Sequence, residues 1–211
     1  MIGSHNSMTY LKASSKVWEK LSAYWRCQDK TIDEQIAAGV RWFDIRVAYD
    51  KSARGSSFWK FAHGEVDLQM TVKTGSGTGR SAGSVRLTLD DVLTKIQNAG
   101  GLVRIMLEKG DADDETLFAE YFSQPLMCKK WPCIIGAVIK ENWRVLWNKR
   151  PDLGITDCSY VPYKRDTPVL KQLKAILKFP FKSIKKRADE GFQPTKAQRE
   201  HQYYVWVYDY V

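Results

Sequence analysis

Three histidines punctuate the chain: His5 in "GSHNS", His63 in "FAHGEV", and His201. Imidazole titrates near neutrality, so two histidines can take a proton from one oxygen and deliver another elsewhere. Cleavage of a phosphodiester needs both transfers. It also gathers negative charge on the phosphoryl oxygens, for which a guanidinium is the natural partner. Arg46 in "VRWFDIRV" is a candidate for that role, with Asp44 two residues before it. "LVRIMLEKG" adds Arg104, Glu108 and Lys109, and "VYDYV" adds Asp209. Because free termini fray, a histidine at position 5 can do chemistry only where the fold ties the terminus down.

The elements that must position these residues read as an α/β chain. Thr31 with Glu34 forms a capping box ahead of Ile36, and Gly39 stops that helix. Val40 to Val47 then reads as a strand. Thr88 or Asp90 can cap a helix carrying Val92, Leu93 and Ile96 on one face, and Gly100-Gly101 ends it before the next strand. Ser14 to Trp25 has helical spacing, with Val17, Leu21 and Tyr24 as its apolar positions. "CIIGAVIKENW" and "RVLWNK" are further strands, and "YYVWVYDYV" runs as a strand to the last residue. Strands alternating with helices predict one domain over residues 1–211, a distorted (β/α)8 barrel of the TIM type. Pairing of its first and last strands would anchor His5.

Alternation along a strand sorts the side chains. Trp42, Asp44 and Arg46 share one face, expected inside the barrel; Phe43, Ile45 and Val47 face the helices. Arg104, Met106 and Glu108 point inward by the same parity, as do Val205, Val207 and Asp209. The charged members fall late in their strands, where barrel sites lie. A set of buried ion pairs would satisfy the same pattern.

Bulk properties narrow the partners. The net charge is +9 and the pI about 9.3, which attracts anions. No apolar run is long enough for a membrane helix, and no signal peptide is visible. Cys128 and Cys133 in "CKKWPC" lack nearby partners for a zinc site, leaving a disulfide or plain buried thiols. Residues 74–84 read as a flexible Gly/Ser loop without the lysine ending of a phosphate loop. The basic stretch from Lys171 to Arg187 combines an amphipathic helix with "KFPFKSIKKR", a candidate for lipid contact.

"GSHNS", "IDEQIAAGVRWFDIRV", "FAHGEV", "LDDVLTKI", "LVRIMLEKG" and "VYDYV", in this order, resemble the catalytic X domain of phosphatidylinositol-specific phospholipases C. The resemblance covers residues 1 to about 110 and returns at the end. It implies a distorted α/β barrel that cleaves the glycerophosphoinositol diester into diacylglycerol and inositol 1,2-cyclic phosphate. On this resemblance His5 is the general base, His63 the general acid, and Asp209 orients the base. Asp44 and Arg46 match the family's Phe-Asp-Ile-Arg strand. Arg46 also implies a metal-independent enzyme, because calcium-dependent relatives carry an acidic residue there. Asn6 stands where the bacterial type has aspartate, which leaves the partner of the acid histidine open. If calcium were bound, Asn6, Asp44 and Glu108 would be its ligands. Substrate contacts are expected from Glu108, Lys109, Arg104 and Lys140. Glu108 and Lys109 can both point inward only if the strand bulges. Asn148 and Tyr160 are further candidates at later strand ends. The partner expected is a phosphatidylinositol or related lipid at an anionic membrane surface, with no nucleic acid and a monomeric chain. Secretion or peripheral membrane attachment fits that partner. Two other readings stay open: a phosphodiesterase acting on a glycosylated inositol lipid or a glycerophosphodiester, and an inert barrel binding anionic ligands.

Overall fold

The chain begins inside a sheet. The computed structural model describes residues 1–52, 58–74, 83–123, 125–157, 196, 200 and 203–208. In it β1 (Ile2–Ser4) precedes the short helices α1 (Lys16–Lys20) and α2 (Ile32–Ala37) and the long strand β2 (Val40–Tyr49). β3 (Trp59–His63) and β4 (Val66–Asp67) make a hairpin, as do β5 (Thr71–Thr74) and β6 (Gly83–Arg86). Then follow α3 (Leu89–Asn98), β7 (Leu102–Lys109), α4 (Ala112–Ser123), α5 (Pro125–Lys130), β8 (Ile134–Ile139), β9 (Arg144–Asn148), β10 (Gly154–Asp157) and β11 (Tyr204–Tyr208). Both expected helix starts form as capping boxes, Thr31 with Glu34 and Thr88 with Asp91.

The main sheet runs β10-β11-β1-β2-β7-β8-β9. Neighbours from β10 to β8 are parallel, while β9 returns antiparallel on β8 and β3 antiparallel on the end of β2. Among the described residues the result is a curled half-barrel, and the closed ring of eight parallel strands expected from the alternation is not completed within them. At the β8 end the interruption is local. Parallel neighbours need a crossover of a dozen or more residues, but the turn after β8 is tight, with Trp143 N–H donating to the Lys140 carbonyl at 3.2 Å. The first and last strands do pair: Ile2, Gly3 and Ser4 lie beside Trp206, Val207 and Tyr208.

Two layers of apolar packing hold the sheet. On its convex side Phe43, Ile45, Val47, Val103, Ile105 and Leu107 pack with Val92, Leu93, Ile96, Phe118 and Phe122. On its concave side, at the N-terminal ends of the strands, Trp42, Ile135, Leu153, Val205 and Val207 form a separate plug. Gly3 is required there, because a Cβ would come within 2.9 Å of Trp42 and of Val205.

Three sequence expectations need correction. The Ser14–Trp25 region forms only α1 and one 3-10 turn, Ser22–Tyr24, and α1 buries nothing: Val17 is 67% exposed, Trp18 38% and Leu21 41%. Helical spacing marks a face, but five residues span too little length to pack it. The 74–84 loop is shorter than expected, since Thr74 pairs with Gly83 and Lys73 with Ser84. Cys133 is a buried free thiol, which removes the disulfide alternative. The Lys171–Arg187 stretch, Tyr160, His201 and Asp209 lie outside the described residues.

Candidate active site

His5 follows β1 directly and is held from several sides. Its backbone N–H donates to the Tyr208 carbonyl at 2.9 Å, which fixes it on the end of β11. The buried Gln28 amide donates to the carbonyls of His5 (3.2 Å) and Tyr208 (3.0 Å). Thr9 Oγ1 in turn accepts from the backbone N–H groups of Cys27 (3.0 Å) and Gln28 (2.9 Å). The next residue, Asn6, has φ 42°. Asparagine tolerates that left-handed conformation better than most residues. Its N–H donates to Asp44 Oδ2 at 3.3 Å. Its side chain is fully buried, and among the described residues neither amide atom has a hydrogen-bond partner.

Arg46 is the hub. Its Nε donates to Asp44 Oδ2 at 2.8 Å, one terminal nitrogen to Glu108 Oε2 at 3.1 Å, and the other lies 2.7 Å from His5 Nε2. An arginine N–H can only donate, so His5 Nε2 accepts and carries a lone pair. Arg104, opposite Asp44 in the β2–β7 register, places a nitrogen 3.3 Å from Asp44 Oδ1 and lies over the Trp42 ring. Lys140, just past β8, bonds Glu108. Burial pushes the Asp44 carboxyl up, but Arg46, Arg104 and His5 outweigh it and hold it far below the usual carboxylate range. Burial likewise opposes ionisation of Glu108, and Arg46 and Lys140 overcome it. Burial also disfavours the Arg46 charge, but Asp44 and Glu108 fix it as a permanent cation.

His63 ends β3 and faces His5, with ring centroids 6.3 Å apart and planes at 88°. Its Nδ1 donates to the Trp25 carbonyl at 2.6 Å, leaving Nε2 as the second nitrogen. Cys27 Sγ lies 4.0 Å from the same Nδ1. Gly64 (φ 55°) turns the chain sharply after His63, a conformation that favours glycine. Burial pushes the His63 pKa down to about 4; Glu108 pulls it up, while Arg46, His5 and Lys140 lower it. At neutral pH the empty site therefore holds His63 neutral. Among the described residues of this cluster, Arg46, Arg104 and Lys140 outnumber Asp44 and Glu108 by one charge, which favours an anionic ligand.

Most of the residues singled out in the sequence converge here: His5, Asn6, Asp44, Arg46, His63, Arg104, Glu108 and Lys140. Lys109 does not. A register shift between Val47 and Ala48 leaves Glu108 as an extra residue on β7, but it does not bring both side chains inward. Glu108 points inward, as the parity of Arg104 and Met106 indicated, while Lys109 turns outward to Asp67 Oδ1 and the Glu65 carbonyl at 2.9 Å each. Asn148 also lies elsewhere, its side chain accepting from Arg150 N–H at 2.9 Å in an exposed turn. The sequence reading missed the Trp25 carbonyl and Gln28. A backbone acceptor has no residue-type signature, and a lone glutamine in a loop gives none either.

Of the residues expected to ligate calcium, Asp44 through Oδ2 and Glu108 through both oxygens already bond Arg46, whose fixed charge would repel an ion. Among the described residues, no group of His, Cys, Asp and Glu is arranged to hold a metal.

No protein-family model matches this sequence, and no curated protein does. Among solved structures, the chain is similar to the phosphatidylinositol-specific phospholipase C from Listeria monocytogenes, with TM-score 0.48 and 12% identity, over 100% of this chain and 87% of that one.

Proposed function

We propose that the chain is a metal-independent phosphodiesterase of the phospholipase C type acting on phosphatidylinositol. The observation that carries this reading is the arrangement of His5, Arg46 and His63: two imidazoles face each other, and a buried guanidinium lies against one of them. The arriving phosphate takes the Arg46 N–H now given to His5 and frees its Nε2. That nitrogen removes the proton of the inositol 2-hydroxyl. The oxygen attacks phosphorus, and Arg46 stabilises the charge on the phosphoryl oxygens. As the bond to the glycerol oxygen breaks, His63 Nε2–H supplies the proton that oxygen needs. Diacylglycerol and a cyclic inositol phosphate leave, and the imidazoles exchange their protons with water. The diester's negative charge raises the proton affinity of His63, so substrate binding itself arms the acid.

Two features support a lipid surface as the partner. Val17 and Trp18 are exposed on α1 between Lys16 and Lys20, and Leu21 is exposed directly after it, a combination suited to an anionic interface. The same segment leads to Trp25, whose indole N–H donates to the Trp18 carbonyl at 2.7 Å and whose own carbonyl holds His63.

The test is turnover on vesicles containing phosphatidylinositol, compared with a glycosylated inositol lipid and a glycerophosphodiester, with and without a calcium chelator. Phosphatidylinositol turnover that survives chelation supports the proposal. Turnover confined to another diester, or abolished by the chelator, overturns it.

A further inference from the structure

Glu108 holds the site together in a way that neither the acid-base pair nor the phosphate contact explains. Its side chain is fully buried, so no face of the carboxylate is open to solvent. Its oxygens receive donors from separate parts of the fold: Arg46 on β2, Lys140 after β8, and the backbone N–H of Gly64, at 2.5 Å, directly after His63. A carboxylate engaged by these donors has little capacity left for a substrate hydroxyl. The Gly64 contact is the informative one. β3 reaches the main sheet through its pairing with the end of β2, with Tyr49 beside Trp59 and Val47 beside Phe61. His63 lies beyond that pairing, near the tip of the hairpin, where Lys109 also holds the Glu65 carbonyl. Glu108 pins the peptide next to His63, and the Trp25 carbonyl pins the ring itself.

We propose that Glu108 is a positioning residue rather than a substrate ligand: it fixes the His63 turn relative to Arg46, and thereby aims the general acid at the leaving oxygen. This rests on the assignment of His63 as the acid. A displacement of about 1 Å at a reacting group can cost on the order of 100-fold in rate. The loss should fall on the step the acid serves. A glycerol oxygen leaves as a poor anion and needs its proton, whereas a nitrophenolate leaves readily without one.

The experiment compares phosphatidylinositol vesicles with a soluble nitrophenyl ester of inositol phosphate, using wild type, His63→Ala, Glu108→Ala and Glu108→Gln. Thermal melts identify the folded variants; should Glu108→Ala fail to fold, the isosteric Glu108→Gln carries the test. His63→Ala is expected to slow the lipid at least 10-fold more than the nitrophenyl ester. Glu108 variants are expected to shift the same ratio in the same direction, mainly through kcat. Equal slowing of both substrates by the Glu108 variants, or a loss confined to KM, overturns the positioning role while leaving His63 as the acid. Absence of a leaving-group preference in His63→Ala overturns the acid assignment itself.

Discussion

Trp42 and Arg46 occupy the same face of the same strand, four residues apart, yet they live in opposite surroundings. Trp42 belongs to a dry plug with Val205 and Val207, packed so closely that Gly3 can carry no side chain. Arg46, further along β2, is ringed by Asp44, Glu108 and His5. Between them Arg104 lies over the Trp42 ring and pairs with Asp44, so the concave face passes from apolar to ionic through one side chain. The two ends differ in what they do for the molecule. Apolar packing stabilises directly, whereas a buried ion cluster is roughly neutral compared with an apolar filling of the same volume. A chain selected only for stability would extend the plug upward. That this one keeps a set of charges that adds little stability over an apolar filling is what the proposed chemistry would require.

Substitutions at the two ends should separate those values. Arg46→Ala strands Asp44 and Glu108 without their main cation and should cost about 3–5 kcal/mol in denaturant melts. It should also lower phosphodiester turnover by about 100-fold or more in the fraction that remains folded. Trp42→Ala should cost about 3–5 kcal/mol through the cavity it leaves. Turnover per folded molecule should then stay within about twofold, if the plug only supports the site. A large turnover loss in a fully folded Trp42 variant would erase the distinction between the two ends.

Acid titration sharpens the comparison, because only the ionic end titrates. In the empty protein His63 has a pKa of about 4 against an ordinary 6.5, so the folded state binds fewer protons than the unfolded chain between those values. Stability should fall as pH drops through that window, and His63→Gln should flatten the decline. Asp44, held lower still, loses its contribution only under stronger acid. In kinetics the acid must be protonated, so kcat/KM, which reports the free enzyme, should decline with rising pH earlier than kcat. The anionic substrate raises the His63 pKa and moves the kcat limb to higher pH. Coincident limbs would mean that substrate does not arm His63.

The smallest structural effect belongs to α1. Val17→Ser with Trp18→Ser should change stability by less than about 0.5 kcal/mol per site. Turnover on anionic vesicles should fall while that on a soluble inositol diester holds.

How far the sequence revealed all this depended on which physical signal each residue carried. Strand alternation placed Trp42, Asp44, Arg46 and Glu108 on one face, because period two survives in long parallel strands such as β2 and β7. The same rule became ambiguous at Lys109, where a bulge interrupts it. A capping box located α2, and Thr88, one of two candidate caps, located α3, since cap side chains are written in residue type. The apolar spacing of Val17 and Leu21 misled, because periodicity says which residues share a face and not whether anything covers it. Strand direction was not legible either: the antiparallel return of β9 follows from a tight turn that strand propensity does not register. The Trp25 carbonyl, which accepts from His63 Nδ1, is backbone and so invisible to motif reading.

The most direct test of the paired-imidazole site is phosphorus NMR of the products formed from phosphatidylinositol vesicles by wild type, His5→Ala and His63→Ala. The expected result is a five-membered cyclic phosphate as the first product of wild type, with its formation slowed by about 100-fold or more in each variant. A linear inositol phosphate formed without a cyclic precursor, or a cyclic product formed at undiminished rate by His5→Ala, would contradict it.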